Sequence, residues 1–127
     1  MRVFKNKVFT RFADKNGIDD RQLCDAAQRA ERGLIDADLG GGVIKQRVAR
    51  PGKGRSGGFR TIVLFRTRER AFFVYGFAKN QMTNIEGHHL KAFRAVAQTV
   101  LNNTDQELQT LLRLGELIEV NCDEENI

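Results

Sequence analysis

The residues of this chain best suited to chemistry are cations set among glycines. Arg50, Lys53, Arg55 and Arg60 fall in one short stretch, with glycine at 52, 54, 57 and 58 and the chain's one proline at 51. Glycine lets a backbone approach another chain closely. Lys53 and Arg55 at a hairpin tip, with Arg60 on the returning strand, are spaced to grip successive phosphates. A flexible hairpin with solubilising charges is the plainer reading of the same residues. Lys79 and Asn80 form a second candidate, where an apolar segment ends. If the flanking strands run antiparallel and the side chains share a face, Arg60 and Lys79 are neighbours. Two cations side by side in a sheet repel, and that cost makes sense when an anion lies between them.

Other chemistries find less support. Gly52, Gly54 and Gly57 spell G-x-G-x-x-G, but FRTIVLF follows and reads as strand. A dinucleotide fingerprint needs a helix there, whose N-terminus holds the pyrophosphate. No Gly-Lys-Ser/Thr closes a Walker loop. No nucleotide cofactor is expected, nor any other. His88 and His89 are adjacent, so they cannot both face one site on a helix; they read as surface residues or a local cap. Cys24 and Cys122 are far apart, with no C-x-x-C, so neither a metal site nor a disulfide framework is expected. Two free thiols fit a reducing cytosol.

Charge distribution narrows the partner class. The net charge is +5, yet residues 1–80 carry 18 Lys/Arg against 8 Asp/Glu, whereas residues 81–127 carry 3 against 8. From Lys45 to Arg70 there are nine cations and one acid, Glu69. Such a local excess is the footprint of a polyanion partner, nucleic acid being the commonest, or else a solvated basic face. MRVFKNKVFTRF is broken by charges and is no signal peptide. The longest apolar run, Ala71 to Ala78, is eight residues, too short to span a membrane. A cytoplasmic location is the expectation.

The elements that must position these residues are legible in outline. At 127 residues the chain reads as one domain, 1–127. Residues 2–5 suggest a first strand or a helix entry. Val8, Phe9 and Phe12 have helical spacing, and Gly17 is a natural stop. Asp19 and Gln22 have capping-box spacing ahead of a second helix that ends near Gly33. Residues 36–42, DADLGGG, read as a turn. VIKQRVAR (43–50) alternates, with Ile44, Gln46 and Val48 on one face and Lys45 and Arg47 on the other. FRTIVLFR (59–66) and AFFVYGFAK (71–79) read as central strands of an antiparallel hairpin. A third helix is expected over about Ile85–Leu101. A fourth is capped by Thr104 and Glu107 and stopped by Gly115. LIEV (117–120) suits an edge strand, and the acidic tail is expected to fray. The fold class is α+β: N-terminal helices on a small antiparallel sheet, with C-terminal helices.

In this setting GGGVIKQRVARPGKGRSGGFRTIVLFRTRERAFFVYGFAKNQMTNI (40–85) resembles the core of the HigB-like branch of the RelE/ParE toxin superfamily. The resemblance lies in the order of parts: a basic strand, a Gly/Lys/Arg loop, an aromatic and β-branched strand, and an apolar strand ending in F-A-K-N. It implies the toxin of a type II toxin–antitoxin pair, with a RelE-like fold and a cognate antitoxin, often of helix-turn-helix type. It further implies a metal-free, ribosome-dependent endoribonuclease, an mRNA interferase that inhibits translation. Carried over by position, the catalytic residues are Arg60, Lys79 and Arg55. The RNA-binding residues are Lys53, Arg50, Arg47, Asn80 and Tyr75, with Tyr75 or Phe77 as a base-stacking ring. The sequence departs from RelE-type sites in having no Tyr beyond Tyr75. Lys79 would need a lowered pKa to act as a base, which clustered cations supply. Two other readings are a ParE-like DNA gyrase poison and a nucleic-acid-binding module without catalysis.

Overall fold

The computed structural model describes residues 1–50, 54–78 and 87–122. Strand β1 (Arg2–Asn6) leads directly into helix α1 (Lys7–Asn16), because the Asn6 side chain accepts from the Phe9 amide and opens the helix. Gly17, in the left-handed region, closes it. Helix α2 (Asp20–Glu31) starts from a complete capping box, with the Asp19 and Gln22 side chains each accepting from the other's amide. Strands β2 (Ala37–Gly40), β3 (Val43–Arg50), β4 (Gly54–Arg66) and β5 (Arg70–Ala78) follow as a meander. Helix α3 (Gly87–Val100), helix α4 (Asp105–Arg113) and strand β6 (Leu117–Glu119) complete the chain. Thr104 and Glu107 form the capping box of α4.

The sheet order is β2-β3-β4-β5-β1-β6. Every neighbouring pair is antiparallel except β1 with β5, which is parallel. Both faces are covered. One packs Phe9, Ala13, Leu23 and Ala27 of α1 and α2 onto Ile44, Val48, Phe59, Val63 and Phe73. The other packs Ala97 of α3, Leu101 just past its end and Leu108 of α4 onto Phe4, Val43, Ile62, Leu64 and Phe72. The α+β class and RelE-like arrangement expected from sequence are what the chain adopts.

Several local expectations need correction. Residues 36–42 are not all turn, since 37–40 pair with β3 as an edge strand. The glycine-rich stretch is not all loop either. The pairs Val48–Phe59 and Arg50–Gly54 place four residues of β4 opposite Ala49 alone, a wide irregularity in the ladder. Gly57 and Gly58 fall within it, where the strand must bend.

The two cysteines are joined, Cys24 to Cys122, with Cα atoms 5.6 Å apart across a sequence separation of 98. The two-free-thiol expectation, and the argument for a reducing compartment drawn from it, are therefore overturned. Tertiary pairing explains the bond. β6 lies against β1, the Val120 amide donates to the Val3 carbonyl, and the Asn121 amide donates to Asp20 at the start of α2. Cys122 thus arrives beside the first turns of α2, so residues 121–122 are tied down rather than frayed. Arg2 reinforces the same edge with a two-point contact to Glu119, which raises the guanidinium pKa above its ordinary value through that hydrogen bond. No helix of the described residues is long and apolar enough to cross a membrane.

Candidate functional site

Directly paired residues of an antiparallel ladder share a face. The register therefore lays out a row across three strands: Arg47, Arg60 and Phe77. The next row is Lys45, Ile62 and Tyr75. Among the described residues these two rows bring together Lys45, Arg47 and Arg60, and Arg47 and Arg60 stand directly opposite. Like charges so placed are destabilising.

The anion that offsets them is the protein's own. Asp36, just ahead of edge strand β2, accepts a 3.0 Å hydrogen bond from Arg47 Nε at Oδ1. Its Oδ2 lies 3.7 Å from Arg60 Nε and 3.9 Å from Lys45 Nζ. The sequence suggests an anion between Arg60 and Lys79; the structure puts one between Arg47 and Arg60, and it is Asp36, from a segment of turn-like composition.

Asp36 is fixed from the core side. Its amide donates to Gln46 Oε1, while Gln46 Nε2 donates to the carbonyls of Ala26 and Leu34. Gln46 is only 1% exposed; its bond to Ala26 is buried and the other two are partly so, and their loss leaves buried polar groups unpaired, which is costly. The signal for Gln46 was present in the alternation of 43–50: a polar residue on the apolar face. Nothing local marked Asp36.

Arg60 is the least exposed of the three cations, its side chain 10% accessible against 25% for Lys45 and 44% for Arg47. Its Nη1 is buried and has no hydrogen-bond partner among the described residues. A buried guanidinium nitrogen without an acceptor costs free energy. An incoming anion that reached it would recover that cost with a charge-assisted bond.

The basic stretch is not a single functional surface. Arg66 donates to the Leu101 carbonyl and to Asn102 Oδ1, and Arg70 donates to the Val100 and Asn103 carbonyls and meets Asp105. Both clamp the C-terminal end of α3, where orphan carbonyls and the helix dipole favour cations. Arg68 is a turn residue with positive φ whose amide donates to Glu31.

Of the residues expected to form the site, Arg47 and Arg60 are brought together, with Lys45 beside them. Tyr75 is half-buried one row away, its ring 6.2 Å from Phe77 and 6.3 Å from Phe93. Phe77 is 4% exposed and belongs to the core, so of these two rings Tyr75 is the one with accessible surface. Lys53, Lys79 and Asn80 lie outside the described residues, as do the side chains of Arg50, Arg55 and His88. No group of three or more His, Cys, Asp or Glu side chains able to hold a metal converges among the described residues.

Comparison with protein families matches residues 1–120 to the RelE toxin of the RelE/RelB toxin–antitoxin system. The chain belongs to the RelE toxin family. No curated protein matched the sequence. As a RelE-family toxin, this chain is one half of a toxin–antitoxin pair, and its partner is a cognate antitoxin. The cation cluster of this RelE toxin lies on the sheet face shared with α3, at the end of β3 and β4 away from the α3 C-terminus that Arg66 and Arg70 clamp.

Proposed function

We propose that this toxin is a ribosome-dependent, metal-free mRNA endoribonuclease of the HigB-like kind. The observation that carries the reading is the Nη1 of Arg60, buried and without a partner among the described residues, beside Arg47 and Lys45 in a chain of the RelE family. In the proposed reaction the 2′-oxygen of the RNA attacks the adjacent phosphorus, giving up its proton. The bond to the 5′-oxygen breaks, and that oxygen takes a proton. The products are a 2′,3′-cyclic phosphate and a 5′-hydroxyl. Negative charge builds on the phosphorane oxygens, and Arg60, with Arg55 and Lys79, stabilises it; cations already in place do so without reorganising at the moment of reaction. Arg47, Arg50, Lys53 and Asn80 hold the flanking backbone, and Tyr75 stacks a splayed base. In-line placement of the nucleophile, imposed by the ribosome on the mRNA, supplies much of the remaining rate. Its proposed target, the translating ribosome, sets its site of action in the cytoplasm, although a disulfide such as Cys24–Cys122 is uncommon there, and the antitoxin is of the helix-turn-helix type.

The test is a cell-free translation reaction in which mRNA 5′ ends are mapped with and without ribosomes. Cuts inside the reading frame that need ribosomes and vanish in Arg60→Ala are the expected result. Intact mRNA with normal translation would overturn the proposal and direct attention to DNA gyrase supercoiling. Binding to RNA that Arg60→Ala merely weakens, with no cutting in either protein, would leave a binding module.

A further inference from the structure

We propose that Asp36 is a positioning residue of this site: its carboxylate takes the Nε edges of Arg47 and Arg60, so that the Nη edge of Arg60, buried in the free protein, is held in place to meet a phosphodiester. The inference rests on the nuclease reading for its substrate, but its geometric half stands apart from it. Four observations carry it. Arg47 and Arg60 are cross-strand neighbours that repel, and Asp36 is the carboxylate within reach of both. Both carboxylate oxygens are engaged, Oδ1 by Arg47 and Oδ2 by Arg60 and Lys45. The contacts fall on the Nε side of each guanidinium, and Arg60 Nη1 is left buried and unpartnered among the described residues. Asp36 itself is 14% exposed and is held by Gln46, which is anchored to α2 and to the segment leading into β2.

The physical logic is preorganisation. A long, rotamer-rich arginine ordered only when substrate binds pays its ordering cost at that moment. One ordered in advance by a carboxylate on its far edge does not, and its remaining donors are aimed where charge develops. Three cations and one carboxylate still leave an excess of positive charge for the phosphate. An alternative role makes the opposite prediction: were Asp36 an internal competitor for the phosphate's place, removing its charge would tighten RNA binding and leave turnover unchanged or faster.

The experiment compares wild type with Asp36→Asn, which keeps the shape and an acceptor oxygen but loses the charge. Cleavage on programmed ribosomes is expected to lose about tenfold to a hundredfold in kcat, the scale of a small misplacement, with KM no higher than wild type. In parallel, the arginine Nε–Hε resonances are recorded on both proteins without RNA. Arg47 and Arg60 are expected to give resolved signals in wild type that collapse toward the free-arginine position in Asp36→Asn. An unchanged kcat, or arginine signals equally ordered in the variant, overturns the proposal. Should the variant fail to fold, wild-type Arg47 and Arg60 signals already averaged at the free-arginine position would overturn it, and resolved signals that shift on adding a 2′-O-methyl single-stranded RNA would support it. If wild type cuts no mRNA, the nuclease reading falls, and Asp36 is judged on the resonances alone.

Discussion

At the scale of the residue, the site is a balance between one carboxylate and three cations, supported by one buried amide side chain. Arg60 and Arg47 differ in surroundings, so their substitutions should differ in kind. Arg60→Lys keeps the charge but loses the planar fork. It is expected to abolish most cleavage while ribosome binding survives, read by single-turnover cutting against co-sedimentation. Gln46→Leu removes three hydrogen bonds at once and leaves the Asp36 amide without its acceptor. Urea unfolding should show a loss of about 1–3 kcal/mol, with cleavage lowered as well because Asp36 is no longer held. Gln46 was legible in sequence as a polar residue on the apolar face of VIKQRVAR. The role of Asp36 was not, because it depends on a strand edge folding back beside β3.

At the scale of the element, the same residue type does two jobs. Arg66 and Arg70 belong to the basic stretch in sequence, yet they secure the end of α3 from the far end of the β4–β5 hairpin. Arg70→Ala should lower stability by about 1–3 kcal/mol while leaving the salt dependence of RNA binding at its wild-type slope, since no phosphate contact is lost. Backbone geometry sets limits at two glycines. Gly42 has φ of +85°, and a Cβ there would lie 2.8 Å from Leu101 Cδ1. Gly42→Ala combines that crowding with a left-handed backbone and should cost about 1–3 kcal/mol, read as a lower urea midpoint. At Gly76 a Cβ would fall 2.4 Å from the Phe12 ring, so the absence of a side chain is what lets α1 sit on β5. The sequence marked Gly42 only as one of three turn glycines and gave no sign of Gly76, because the crowding comes from residues 59 and 64 positions away.

At the scale of the whole molecule, the disulfide joins the last described residue to the second helix. Closing a loop of this length is worth on the order of 4–5 kcal/mol in the chain-entropy account. Reductant, or Cys122→Ser, should therefore lower the urea midpoint clearly, while the two apolar clusters keep the domain folded. Thiol titration of the protein unfolded without reductant should find no free thiol, and two after reduction; two thiols before reduction would refute the bond. The charge asymmetry along the chain also resolves at this scale. The acidic C-terminal third places Asp105, Glu116 and Glu119 against Arg70, Lys7 and Arg2, so part of the N-terminal excess is met within the molecule. Lys45, Arg47 and Arg60, with Asp36 between them, keep a local excess of positive charge.

The sequence by itself determined the elements and their order, with the exception of edge strand β2. Capping boxes, stop glycines and the switch from a period of 3.6 to 2 are local signals, and Asp19, Thr104, Gly17 and the strand 43–50 stand where those signals put them. It also determined the family's imprint, because the Gly/Lys/Arg stretch and the strands around it are contiguous. Tertiary structure alone decided what depends on chain segments meeting: the parallel β1–β5 pair, the Cys24–Cys122 bond, the structural duty of Arg66 and Arg70, and the carboxylate that makes a like-charged pair tolerable. Periodicity reports which face a side chain takes. It carries no information about which distant residue will stand opposite, and electrostatic function is a property of that pairing.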